Sequence, residues 1–233
     1  MKKEKPQMNK SVFFKTEEQV IFKDRQAAGK LLAKRLEGFI NKSQTIILGI
    51  PRGGVVVAAE IASQLHLPLD IVITRKIGDP FQPELALGAI DPNGQLVWDE
   101  DLLEKLDLKK EDLKEIIERE KTEIKRREKL YRGERPALDI KDQNVILVDD
   151  GIATGATVLA ALRYLRSLRA GKIILAVPVV LSRVDRKIEG EADELVILYQ
   201  AQNHLPVGGY YQNFQPVSDQ EVEDLIEKNS RKW

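Results

Sequence analysis

The sequence predicts an α/β fold: a doubly wound, mainly parallel five-stranded sheet with a helical and hairpin insertion and a small C-terminal cap. Three observations predict it. Short β-branched runs at Thr45–Ile50, Leu69–Thr74, Asn144–Val148, Lys172–Val180 and Glu194–Tyr199 alternate with helix-like stretches, the pattern of parallel strands joined by crossover helices. One long stretch, Ile77 to Asp142, breaks that alternation and reads as an insertion. The chain has 233 residues, 42% of them hydrophobic, which is ample for one domain with a buried sheet and short for two. The organisation that follows is a single domain over 1–233, with a core over about 24–76 and 143–200, an insertion over about 77–142 and a tail over about 201–233.

Each element has a local reason. Asp24 is placed to cap a helix running to about Asn41, with Ala27, Ala28, Leu31, Leu32, Leu36 and Phe39 as its apolar stripe. Pro51-Arg52-Gly53-Gly54 breaks the first strand, and Val55 to Leu65, rich in Ala and Val, reads as a buried helix. Arg75-Lys76 closes the second strand. The insertion opens with a loop containing Gly78, Pro80 and Pro83, expected to be a mobile flap over Ile77 to Pro83. A hairpin follows at Asp91-Pro92-Asn93-Gly94.

Lys109 to Arg132 is then a charged helix with a thin stripe of Leu113, Ile116, Ile117, Ile124 and Tyr131. Two arrangements suit so narrow a stripe. It meets a second copy in a homodimer, or the helix lies alone, supported by pairs such as Glu115–Arg119 and Glu123–Arg127. Alternation resumes with helices at Thr157–Arg169 and Ser182–Gly190, and Ser218 with Glu221 has the spacing of a capping box for a last helix.

Composition excludes several functions. Lys and Arg number 37, as do Asp and Glu, so the basic excess of a general nucleic-acid binder is missing. Acids also interleave with the bases along the charged helix, and nucleic acid is not expected as a partner. There are no cysteines, which removes disulfides, thiolate zinc sites and cysteine nucleophiles. His66 and His204 are too few for a histidine metal site. Met1 to Lys10 is basic without a following apolar segment, unlike a secretory signal. The longest apolar run, Ile173 to Leu181, is interrupted by Pro178 and too short to span a bilayer. No membrane partner is expected, and the expected location is cytoplasmic.

In an open α/β sheet, ligands bind beyond the carboxyl ends of the strands. The most distinctive such end is Val148-Asp149-Asp150-Gly151-Ile152-Ala153-Thr154-Gly155-Ala156-Thr157. An apolar strand runs into two acids, then into a small hydroxyl-bearing turn that opens a helix. Converging backbone N–H groups of such a turn, with the Thr154 and Thr157 hydroxyls, suit a phosphate at the positive helix end. Asp149 and Asp150 would repel phosphate and suit a sugar diol or a hydrated Mg²⁺ instead. Neither Gly-x-x-x-x-Gly-Lys-Ser/Thr nor Gly-x-Gly-x-x-Gly is present.

This segment resembles the diphosphate-sugar motif of the type I phosphoribosyltransferases: an apolar strand, two acids, two residues, then a small residue before Thr-Gly-x-Thr. The resemblance covers about Thr45 to Tyr199. It implies that Asp149 and Asp150 hold the ribose hydroxyls of phosphoribosyl diphosphate, with Mg²⁺ bound there through water, while Gly151 to Thr157 enclose the 5-phosphate. Pro-Arg-Gly-Gly alone is an ordinary turn, but the family's loop after the first core strand grips pyrophosphate, often through a strained peptide, which points to Arg52 and the Gly53 backbone.

A basic residue at the second strand's end commonly holds the diphosphate in this family, implicating Arg75 and Lys76, although adjacent bases there also suit a solvated edge. The layout is most similar to a poorly characterised branch with Gly-x-Pro-Arg-Gly-Gly and a Gly-x-x-Tyr-x-x-Phe tail, here ending Tyr211-Gln212-Asn213-Phe214. The family's region outside the core, the hood, chooses the base; Tyr210, Tyr211 and Phe214 suit either base stacking or anchoring of the tail.

Transfer of the 5-phosphoribosyl group to a nitrogenous base, with release of pyrophosphate, is the implied reaction. Members acting on 6-oxopurines carry an acid before the Thr-Gly, where this chain has Ala153, which argues against that acceptor. The alternatives are a sensor that binds phosphoribosyl diphosphate without turnover, and a hydrolase or phosphorylase of ribose phosphates. Sensors of this fold carry an added DNA-binding domain, for which Met1 to Lys23 is short.

Overall fold

The computed structural model describes residues 22–83, 85–136, 138–201 and 205–230. The start of the chain before Phe22, and His204, lie outside the described residues. In chain order the elements are α1 (Arg25–Arg35), β1 (Thr45–Gly49), α2 (Gly53–Leu65), β2 (Leu69–Ile71), β3 (Arg75–Gly78), β4 (Ala86–Ile90), β5 (Leu96–Trp98), α3 (Glu100–Lys105), α4 (Lys114–Arg132), β6 (Asn144–Val148), α5 (Ala156–Ser167), β7 (Ile173–Val180), α6 (Arg186–Glu191), β8 (Glu194–Gln200) and α7 (Asp219–Ser230).

Five strands form one parallel sheet in the order β2-β1-β6-β7-β8. Alternate side chains of β6 supply its two faces. Ile146 and Val148 pack with Leu32 of α1 and Val57 and Ile61 of α2, whereas Val145 and Leu147 pack with Leu162 and Leu165 of α5. Both faces are covered, so the strands read as continuous apolar runs. From β1 the chain winds outward to β2, and from β6 it winds the other way to β7 and β8. The reversal falls between β1 and β6, the position at which an open α/β sheet leaves a crevice.

The insertion contributes a second, antiparallel sheet, β3-β4-β5, lying between α4 and α5. Its hairpin turns at the expected place: the Gly94 N–H donates to the Asp91 carbonyl at 3.0 Å and the Asp91 carboxylate accepts from Gln95 N–H at 2.8 Å.

Four expectations need correction. Arg75 and Lys76 do not end β2; they open β3. The ladder of β2 stops at Ile71, opposite Gly49 at the end of β1, and the chain crosses to pair Arg75 with Ile90. Nor is Ile77 to Pro83 a flap throughout. Ile77 is fully buried, Gly78 pairs with Ala86, and the Asp79 carboxylate accepts from the N–H groups of Phe81 and Gln82, both at 2.7 Å. Only the tip is out in solvent, where Phe81 is 88% exposed.

Third, the stripe on the charged helix is satisfied within its own chain. Leu113, Ile117, Ile124 and Tyr131 are buried against Ile73, Ile77, Leu87, Ile90 and, from α7, Val222 and Ile226. Those four residues are thus not available to a partner copy. The helix between β7 and β8 also starts later than its sequence suggests. Asp185 caps α6 by accepting from Lys187 N–H at 2.7 Å, which leaves 181–185 as a loop.

Candidate functional site

The crevice between β1 and β6 collects the loops that the sequence singles out. Ile50 N–H donates to the Val148 carbonyl at 2.9 Å and joins the ends of the two strands. The Pro51–Arg52 peptide is cis, and Gly53 opens α2 directly against the acid pair. A Cβ on Gly53 would lie 1.9 Å from Asp150 Oδ2, so only glycine lets the two loops approach this closely.

Asp149 and Asp150 end β6 side by side, with the Asp150 N–H donating to Asp149 Oδ1 at 2.8 Å. Desolvation, and then the charge of Asp150, hold the Asp149 carboxyl well above the usual carboxylate range, while the Asp150 N–H and Arg25 pull it back. Two carboxylates so crowded favour a positive partner. Among the described residues no group of three or more His, Asp or Glu is placed to hold a metal. A divalent cation here would meet the two carboxylates through water and take its other oxygens from ligand and water, a donor set that fits Mg²⁺.

Beyond the acids the chain enters α5. Gly155 stands at its N-cap with φ +80 and no side-chain cap bond, a left-handed conformation that costs glycine least. The first amides of α5 are thus left facing the crevice, at the positive end of a twelve-residue helix. Thr154 is exposed beside them. Thr157 sits in the first turn, and its carbonyl accepts from Thr74 Oγ1 at 3.2 Å, which ties the chain after β2 to the same helix end.

Ala153 is exposed and lines a cleft of about 260 Å³ with Thr154, Val180, Ser182, Arg183 and Asp185. A second cleft, about 190 Å³, runs from Thr154, Gly155 and Ala156 to Trp98 and Asp99 of the inserted sheet.

Not every expected residue reaches this place. Ile152 does not offer a backbone donor: its N–H donates to Val179 and its carbonyl accepts from Leu181, at 2.8 and 2.9 Å, and its side chain is buried. Gly151 backs onto Val179 and Val207. Arg75 turns away, its Nε donating to the buried Glu120 of α4 at 2.7 Å. Lys76 alternates to the other face of β3, which it shares with its partner Ala89, packed in the core of α5. Of the two bases, the strand's alternation thus gives only Lys76 to the side of α5. The Arg52 side chain, 40% exposed, leans on Asp219 at 3.6 Å. Asp219 also accepts from Arg126 at 3.1 Å and from the Tyr131 hydroxyl.

One residue escaped the sequence reading. Arg25 Nε donates to Asp150 Oδ2 at 2.7 Å across 125 residues of chain. Its only local signal, a charge in the first turn after the Asp24 cap, is that of an ordinary solvated helix face. The tail aromatics prove to be anchors. Tyr210 is buried, and the Tyr211 hydroxyl donates to the Asp150 carbonyl at 2.5 Å, so both support the site from behind.

The family model described as phosphoribosyl transferase domain matches residues 21–203, most of the chain and every loop of the crevice. The chain belongs to that family. Its relatives include a protein of two Mycobacterium tuberculosis strains that bears the provisional name phosphoribosyl transferase, 39% identical over 211 residues, or 91% of this chain. The chain spans about half the length of those relatives, 47% of each. The crystal structure of TT1426 from Thermus thermophilus is similar to this one with a TM-score of 0.73 at 37% identity, covering 90% of this chain and 99% of that one. The five-stranded parallel sheet with helices on both faces is the family's fold.

Proposed function

We propose that this chain transfers the 5-phosphoribosyl group of phosphoribosyl diphosphate to a small nitrogenous acceptor and releases pyrophosphate. The observation that carries the reading is the joining, at one sheet reversal, of the uncapped α5 N-terminus with the Asp149–Asp150 pair. The first suits a monoester phosphate, the second a ribose diol with its cation, and together they match the two ends of one ligand. Family membership supports the same reading.

In this reading the residues of the turn have unequal roles. Thr154 to Thr157 hold the 5-phosphate, while Gly151 and Ala153 shape the turn and Ile152 walls it. Asp149 and Asp150 hold the ribose hydroxyls and, through water, Mg²⁺. That ion supplies positive charge for the leaving diphosphate. Lys76, the Gly53 backbone and Arg52, released from Asp219, face the same diphosphate. Catalysis then rests on positioning and on charge placed where it develops, positive on the sugar and negative on the leaving group. The cleft between Ala153 and Arg183 is the place for the acceptor; with no acid at Ala153, a 6-oxopurine lacks its usual partner there.

The test is to incubate the purified protein with phosphoribosyl diphosphate, Mg²⁺ and a panel of purine, pyrimidine and simple amine acceptors, and to measure pyrophosphate release. Release that depends on one acceptor supports transfer. Release without any acceptor favours a hydrolase, and tight binding with no release favours a sensor.

A further inference from the structure

The Asp149–Asp150 pair sits in a frame that the reaction alone does not explain. Asp150 is engaged by Arg25, and the contact is well sheltered: the two side chains are 11% and 17% exposed. Arg25 is itself fixed on three sides. Its Nε donates to Asp150 Oδ2 at 2.7 Å, its Nη1 donates to the Gln215 carbonyl at 2.8 Å, and its guanidinium lies 3.7 Å from the centre of the Phe214 ring. Phe214 in turn stacks at 4.9 Å on Tyr211, whose hydroxyl holds the Asp150 carbonyl. Asp150 is thus gripped at its carboxylate by α1 and at its carbonyl by the tail.

We propose that Arg25 is a positioning residue for phosphoribosyl diphosphate binding, acting through Asp150. Two adjacent carboxylates beside a polyanionic ligand repel each other and the ligand. Arg25 offsets one of those charges and fixes the orientation of the Asp150 carboxylate. The planar guanidinium is what the geometry uses. It donates in two directions at once while its central carbon sits over a ring, a spread that a lysine ammonium does not reproduce. The tail, through Phe214 and Gln215, therefore sets the shape of the acid pair.

This inference rests on the proposed ligand, and a double-mutant cycle separates the two. Affinity for phosphoribosyl diphosphate with Mg²⁺ is measured by calorimetry for wild type, Arg25→Met, Asp150→Asn and the double variant, with thermal melts as a check of folding. Arg25→Met is expected to weaken binding by about ten- to a hundredfold, the usual scale for a residue that orients a ligating group. The same change in the Asp150→Asn background is expected to cost little further, since the carboxylate that Arg25 acts on is gone. Arg25→Lys is expected to recover only part of the loss, and it replaces Arg25→Met in the cycle if the latter fails to fold. Equal losses in both backgrounds would reduce Arg25 to a support of the fold and overturn the inference while sparing the proposed function. A wild-type protein that does not bind phosphoribosyl diphosphate overturns both.

Discussion

The carboxyl end of the parallel sheet and the inserted α4 region are built on opposite principles. Beyond β1 and β6, backbone meets side chain at atomic contact, as Gly53 does against Asp150. Along α4, long charged side chains pair on a solvated surface: Lys121 with Glu118 at 2.6 Å and Arg126 with Glu123 at 2.7 Å. The first arrangement has no tolerance for an added methyl group. The second is redundant, since exposed pairs contribute little each. Position in the molecule, more than residue type, therefore decides what a substitution does.

The largest effect should come where the second region hides a piece of the first kind. Ile124 lies under the charged surface of α4 and is 2% exposed, among Ile73, Ile77 and Ile226. Ile124→Glu buries a charge and is expected to destabilise the protein by roughly 4 kcal/mol or more. Urea titration measures it. A soluble, fully folded variant that changes only its oligomeric state by light scattering would instead restore the stripe as a contact between copies.

Gly53→Ala comes next. Its Cβ would fall within 1.9 Å of Asp150 Oδ2 and 2.8 Å of Arg25 Nε, so the acid pair or the loop must shift. The expected result is a loss of phosphoribosyl diphosphate affinity of about a hundredfold, on the scale of a misplaced ligand group, with a smaller fall in melting temperature. Calorimetry beside a thermal melt checks both. Retained affinity would mean that the two loops are not held as tightly as their contact implies.

How much of this could be read in the sequence depends on how local each signal is. The five strands were legible because each is a contiguous apolar run, and the turn that opens α5 because its glycines, hydroxyls and acids are consecutive. Asp24 and Ser218 announced their helices by capping contacts within three residues, and both form. Arg25 was illegible because its partner is 125 residues away and its own surroundings are those of any helix start. Arg75 was grouped with Lys76 because two adjacent bases look alike until a strand turns them to opposite faces, which sends Arg75 to Glu120. The thin stripe of α4 was read as too narrow to bury because the sequence does not show α7 and the inserted sheet closing over it.

That strand alternation gives a sharper test. Among the described residues, Arg75→Gln leaves the buried Glu120 carboxylate with only the exposed Arg119 at 3.2 Å. It should cost about 1–3 kcal/mol of stability with little change in ligand affinity. Lys76→Gln should do the reverse, lowering affinity or turnover by about a hundredfold, as for other groups that stabilise a leaving anion, while the melting temperature stays nearly constant. Melting curves and pyrophosphate-release assays on the two single variants distinguish the faces. Matching losses of both properties in both variants would show that β3 does not divide them.

The smallest effect belongs to the solvated ion pairs, and pH gives its sign. Hydrogen bonds from Arg126, and then from Arg127, hold the Glu123 carboxyl down at about 2, although partial burial opposes them. In the unfolded chain the same group titrates near the ordinary glutamate value, about 4.3. The folded pKa is the lower one, so the unfolded state binds the extra proton first, and stability rises with pH between the two values. The contribution is complete above the unfolded value and disappears as pH falls through about 2. Its size is small, because Arg126 is half-exposed to water that screens the pair. Glu123→Gln should therefore lower the midpoint of urea unfolding slightly at pH 7, and the gap from wild type should close on acidification towards pH 2. A gap that persists unchanged at low pH would assign the loss to packing of the side chain, and the surface of α4 would then resemble the carboxyl end of the sheet more than its charges suggest.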